Sequence, residues 1–235
     1  MKQFIVTILV FSLFSCAEMQ QVMDQLPQGT GISQAEIGNG LKEALNNGIT
    51  KQVSKLTATD GFFKNQAVKI LLPEELQIVD KKLRQIGMSS LADEGLKVIN
   101  RAAEDAVKEA TPIFVDAVKQ MTFNDAKNIL MGNESSATTY LQNTTSTALY
   151  GKFNPVIKNS FAKVGADKVW TNIITKYNSI PLVKKVNPDL TDYTTTKAME
   201  GVFKMIAVEE KEIRTNLSSR STDLLKKVFA LQDKK

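Results

Sequence analysis

The sequence has no histidine, and its 235 residues hold one cysteine, one tryptophan and six prolines. Histidine is the usual general base near neutral pH and the commonest metal ligand. Its absence excludes Ser-His-Asp and Cys-His catalysis, histidine-bound zinc or haem, and the Glu-x-x-His di-iron arrangement of helical bundles. One cysteine cannot close a disulfide within the chain, so the fold is stable without covalent staples. Neither G-x-G-x-x-G nor G-x-x-x-x-G-K-[ST] occurs. Strand-like alternation and internal repeats are also missing. An enzyme built from this chain would rely on carboxylates, Tyr, Lys, Ser or Thr. We expect no catalytic signature, no metal site and no cofactor.

The N-terminus does carry a pattern. Met1-Lys2-Gln3 supplies one positive charge, Phe4 to Phe14 is an eleven-residue, mostly apolar run, and the small Ser15 precedes Cys16. The run is well short of the about 20 residues a membrane-spanning helix needs. Leu13-Phe14-Ser15-Cys16 resembles the lipobox of bacterial lipoproteins. That resemblance implies a signal peptide over residues 1–15 and a mature chain that starts at Cys16, with a diacylglyceryl thioether on its sulfur and an acyl chain on its amine. Each buried CH2 contributes about 0.8 kcal/mol, so two or three chains together anchor stably. Ala17, rather than the Asp associated with inner-membrane retention, favours the outer membrane. The expected address is the bacterial cell envelope, with the membrane as partner through the lipid anchor. Envelope lipid, peptidoglycan or a protein is expected as a further partner, and nucleic acid is not.

Removing residues 1–15 from 235 leaves 220, and losing Lys2 takes the net charge from +5 to +4. A chain of this size buries about 70% of its unfolded surface, enough for one core. With 43% hydrophobic and 23% charged residues, the composition is that of a globular protein. The polar stretch 16–32, with Pro27, Gly29 and Gly31, reads as a tether, and residues 33–235 as one all-α, multi-helix, bundle-like domain.

Within that domain, Ser33 and Glu36 have capping-box spacing, and Ile37, Leu41, Leu45, Ile49, Val53 and Leu56 follow on one helical face until Asp60-Gly61. Pro73-Glu74-Glu75 suits the first turn of a helix to Ile86. Ser89 or Ser90 suits the cap of the next helix, whose Leu91, Gly95, Ile99, Ala102, Ala103, Ala106 and Ala110 form a small-residue face. Further helices are expected over Pro112–Met121 and Phe123–Met131, the latter capped by Thr122. Others should run from Ser135 or Ser136 to Tyr150, over Pro155–Val164, over Ala166–Asn178, and from Asp189 or Thr191 to Thr215. A serine near Ser221 should start a last helix through Leu231.

Two polar constellations stand out. In Asn100-Arg101-Ala102-Ala103-Glu104, Arg101 lies four residues before Asp105 and Glu104 four before Lys108, spacings that suit a solvated helix face. On the later helix, Met199, Phe203, Ile206 and Ile213 define an apolar stripe on which Glu210 also falls. A charge there needs a partner: Arg214 one turn on, or Arg101 from another helix.

Several stretches occur in order along residues 33 to 230. They include Gly61-Phe62-Phe63, Ile70-Leu71-Leu72-Pro73, Asn100 to Glu104, Met121 to Ala126, Ala137-Thr138-Thr139-Tyr140, and Glu209 to Arg214. Together they resemble the bacterial domain of unknown function 4197 family. The resemblance implies an exported helical domain, and it implies that Asn100, Arg101, Glu104, Asp125, Tyr140, Glu209, Glu210 and Arg214 belong to family motifs, hence the candidate polar or binding cluster. The expected function is a non-enzymatic, membrane-anchored binding or scaffolding module. The alternative is a carboxylate-dependent hydrolase of envelope glycan or lipid, using Glu104, Glu209 or Glu210 with Tyr140 nearby.

Overall fold

The computed structural model describes residues 31–233 apart from 75, 76 and 183. The expected signal peptide 1–15, Cys16 and the tether as far as residue 30 lie outside the described residues. Among these, the chain is helical without strands: α1 (Gln34–Thr57), α2 (Gln77–Gln85), α3 (Ser89–Val107), α4 (Ala110–Gln120), α5 (Phe123–Met131), α6 (Ser136–Val164), α7 (Ala166–Asn178), α8 (Leu190–Thr215) and α9 (Asp223–Phe229), with a 3-10 turn at Leu217–Ser219. This is the expected all-α architecture.

Helix α1 forms for the reasons its sequence gives. Ser33 and Glu36 close a reciprocal capping box, and all six predicted apolar positions from Ile37 to Leu56 are buried. Its buried face packs against α4, α5, α8 and α9, while the two longest helices, α6 and α8, pack on each other and α3 packs on α6. The core therefore surrounds α1 and the α6–α8 pair. Beyond Thr57 the chain turns at Asp60, which adopts φ 65, and at Gly61. A Cβ at Gly61 would lie 2.4 Å from the Lys55 carbonyl oxygen, so only glycine lets the loop fold back on the end of α1.

Four expectations need correction. Helices expected on either side of residues 151–154 are one continuous helix, α6, with Pro155 inside it. Proline removes the bond to the carbonyl of residue 151, but Gly151 and Pro155 both face solvent, where water can replace it. On the opposite side Phe153, Ile157 and Phe161, all fully buried, anchor the helix on both sides of the interruption. The α3 N-terminus is not capped by a serine side chain, because Ser89 is already helical and Met88 occupies the cap. Gly95 is exposed, and Ala92 and Leu96 take the buried positions expected of it. The last helix is capped by Thr122's counterpart in type, Thr222, whose hydroxyl accepts from the Leu225 N–H at 3.2 Å, and not by a serine.

Candidate functional site

Asn100 is fully buried on α3 and faces the irregular segment that follows α1. Its Oδ1 accepts from the Ile70 N–H at 2.8 Å, and its Nδ2 donates to the Ile70 carbonyl at 2.9 Å and to the Leu96 carbonyl at 2.8 Å. The side chain thus satisfies both polar backbone groups of Ile70, as a neighbouring strand would. One turn on, buried Glu104 accepts from the Phe62 N–H at 3.1 Å through Oε1 and from Arg101 at 3.4 Å through Oε2. Arg101 also donates to Asp60 at 2.8 Å. The Lys64 ammonium, with Arg101 beyond it, holds the Asp60 carboxyl below its ordinary range. These three α3 residues therefore pin the 60–70 segment. The spacing that suggested a solvated face is misleading, since Asp105 pairs with Lys108 instead and Glu104 points inward.

Glu210 and Arg214 form a second, separate assembly. Glu210 Oε1 accepts from the Ala137 N–H at 2.9 Å, and Oε2 accepts from the Thr138 N–H and hydroxyl at 2.8 Å each. A carboxylate from α8 therefore caps the N-terminus of α6, where the unpaired amides and the helix dipole favour negative charge. Arg214 donates to the same Glu210 Oε1 at 3.1 and 2.8 Å, and to the carbonyls of Leu130 at 3.1 Å and Ile129 at 2.7 Å, near the C-terminus of α5. The buried ion pair spans two helix ends of opposite polarity. Of the two partners considered for Glu210, Arg214 is the one the fold supplies, and Arg101 lies with Asp60.

Three candidates remain. Glu209 joins α8 to α1, accepting from Lys51 at 2.7 Å and from buried Gln52 at 2.5 Å. Asp125 completes a capping box with Thr122 at the start of α5. The Tyr140 hydroxyl donates to the Ala117 carbonyl at 3.3 Å, and burial, with Asp125 adding to it, pushes its pKa up. Asp125 and Tyr140 do share one open cleft of about 320 Å³, lined also by Asn128, Asn133 and Asn143. Glu209 also lines, with Glu210 and Arg214, one small and mostly apolar cavity of about 30 Å³ beside α1; the eight residues thus occupy three places, and Asp125 and Tyr140 are the pair at the open cleft.

A larger cleft, of about 480 Å³, lies between the 67–74 segment and α8. Its polar lining includes Lys69, Lys184, Tyr193, Lys197 and Lys204, none of them among the residues singled out from sequence. The legible signal was the helical spacing of Tyr193, Lys197, Gly201 and Lys204 on α8; what it faced depended on a loop without periodicity. Among the described residues no group of acidic, cysteine or histidine side chains is arranged to hold a metal ion, and no helix is long and apolar enough to cross a membrane.

Residues 31–230 match the family described as protein of unknown function DUF4197. No curated protein and no solved structure matches the chain.

Proposed function

The chain belongs to the DUF4197 family, and from that premise we propose that it is a lipid-anchored helical module of the bacterial cell envelope that acts by binding or scaffolding. One observation carries the preference for binding over turnover. Each of the three carboxylates that a hydrolase would have used has both oxygens engaged by protein donors: Glu104 by Phe62 and Arg101, Glu209 by Lys51 and Gln52, Glu210 by Ala137, Thr138 and Arg214. A general acid or nucleophile needs an oxygen that can reach substrate. The open surfaces are instead clefts of ligand size.

The address rests on Leu13-Phe14-Ser15-Cys16 and on Ala17, which together support a lipid on Cys16 and the outer membrane. The test uses the full chain with Cys16→Ser. It should appear in the soluble fraction with unchanged helical circular dichroism and should be retained on envelope-lipid vesicles or on peptidoglycan sacculi. A variant that stays in the membrane contradicts the anchor; a soluble variant retained on neither contradicts binding.

A further inference from the structure

The cleft between residues 67–74 and α8 is lined by more lysines than carboxylates, and α8 forms one wall of it. Tyr193, Lys197, Glu200, Gly201 and Lys204 follow at helical spacing along it, and Lys69 and Lys184 enter from the facing segments. Four lysines stand against Glu74 and Glu200 in the lining, and Glu200 is already bound to Lys197 at 2.7 Å. The volume of about 480 Å³ is that of a small-molecule site.

The opposite wall is fixed in place before any ligand arrives. Asn100 clamps the Ile70 backbone on both its polar groups, and the Tyr193 hydroxyl donates to the Leu71 carbonyl at 2.7 Å. Phe62, whose N–H is held by Glu104, presses its ring onto α8 at Gly201, where a Cβ would lie 2.7 Å from Phe62 Cε1. The Lys69 ammonium sits 4.1 Å from the centre of the Phe63 ring, which orients it. The motif Asn100 to Glu104 thus acts on the cleft through the loop it holds. Apolar surface borders the lysines: Leu71, 47% exposed, and its neighbours Leu72 and Pro73 line the same cleft.

We infer that this cleft binds the phosphate-bearing headgroup of an anionic phospholipid. The lysines face the phosphate as point charges, and Leu71 with Leu72 and Pro73 meets the first acyl carbons. The apolar rim favours a lipid over free phosphate, which would use the lysines alone. The inference is independent of the Cys16 anchor, because it concerns the folded domain.

The chain supplies its own reporter. Trp170, the only tryptophan, stacks on cleft residue Tyr193 with ring centres 6.0 Å apart and planes at 22°. Tryptophan fluorescence of the full chain carrying Cys16→Ser is titrated with dihexanoyl phosphatidylglycerol, dihexanoyl phosphatidylcholine and inorganic phosphate. Phosphatidylglycerol should give a saturable change, and the other two none over the same range. A lysine near anionic lipid is worth about fivefold in affinity, so Lys197→Gln with Lys204→Gln should weaken binding about 30-fold. Lys69→Gln, on the other wall, should weaken it about fivefold. Lys108→Gln with Lys119→Gln, outside the cleft, should leave it unchanged. No response to phosphatidylglycerol, an equal response to phosphate, or full affinity in the 197/204 variant at an unchanged unfolding midpoint would overturn the inference. So would equal weakening in the 108/119 variant.

Discussion

Glu210 Oε2 accepts both the backbone N–H and the hydroxyl of Thr138, each at 2.8 Å, so a side chain on α8 caps the first turn of α6 at a residue 72 positions earlier in sequence. The Ser135 side chain at the cap position of α6 makes no capping bond, and the remote carboxylate does that work. Because the same carboxylate neutralises buried Arg214, removing its charge strands an unpaired guanidinium inside the protein. Glu210→Gln should therefore lower unfolding stability by about 3 kcal/mol in urea titrations. A loss under about 0.5 kcal/mol would show that the pair is not structural.

Asn100 offers a comparable test on the other assembly. Asn100→Ala leaves the Ile70 N–H and carbonyl buried without partners, at about 1–3 kcal/mol for each orphaned group. The Ile70 amide, protected in the parent chain, should exchange with deuterium markedly faster in the variant. Unchanged exchange at Ile70 would mean that the loop is held by other contacts.

How much of this was legible beforehand differs by residue. Helices α1 and α5 were readable because their determinants are local: Ser33 with Glu36, Thr122 with Asp125, and an apolar stripe at helical spacing. Glu210 was readable as an anomaly, a charge on an apolar stripe, and its partner Arg214 as an i+4 neighbour. The amides it caps were not, because they belong to a helix distant in sequence. Pro155 misled for the opposite reason: a local rule against proline was overridden by the tertiary burial of Phe153, Ile157 and Phe161. Glu104 looked solvated because pair spacing alone says nothing about which helix face the loop covers.

Gly201 marks where α8 and the 62–68 loop meet most closely. Gly201→Ala would drive a Cβ to 2.7 Å from Phe62 Cε1 and 3.4 Å from Val68 Cβ, a strain of about 1–3 kcal/mol. Gly38→Ala meets nothing within 4 Å on α1 and should stabilise by about 0.5–1 kcal/mol through helix propensity. Equal effects of the two substitutions on the unfolding midpoint would contradict this packing.

Acid should weaken the N-terminal staple. The Lys227 ammonium and the Ser33 cap lower the Glu36 carboxyl from 4.5 to about 2. A depressed folded-state value means that the contribution is complete above the unfolded carboxyl's range and fades as pH falls through about 2. Carboxyl NMR titration should place the Glu36 midpoint near 2, and Lys227→Gln should move it upward. An ordinary midpoint in the parent chain would contradict the Lys227 contact.

A lipid on Cys16, proposed above as what holds this helical domain in the envelope, has a mass that can be weighed. Mass spectrometry of the N-terminal peptide from membrane-extracted protein measures it directly. The peptide should begin at Cys16 and carry the added mass of a diacylglyceryl group, with a further acyl chain on its amine. A peptide that begins at Met1 with an unmodified Cys16 thiol would contradict it.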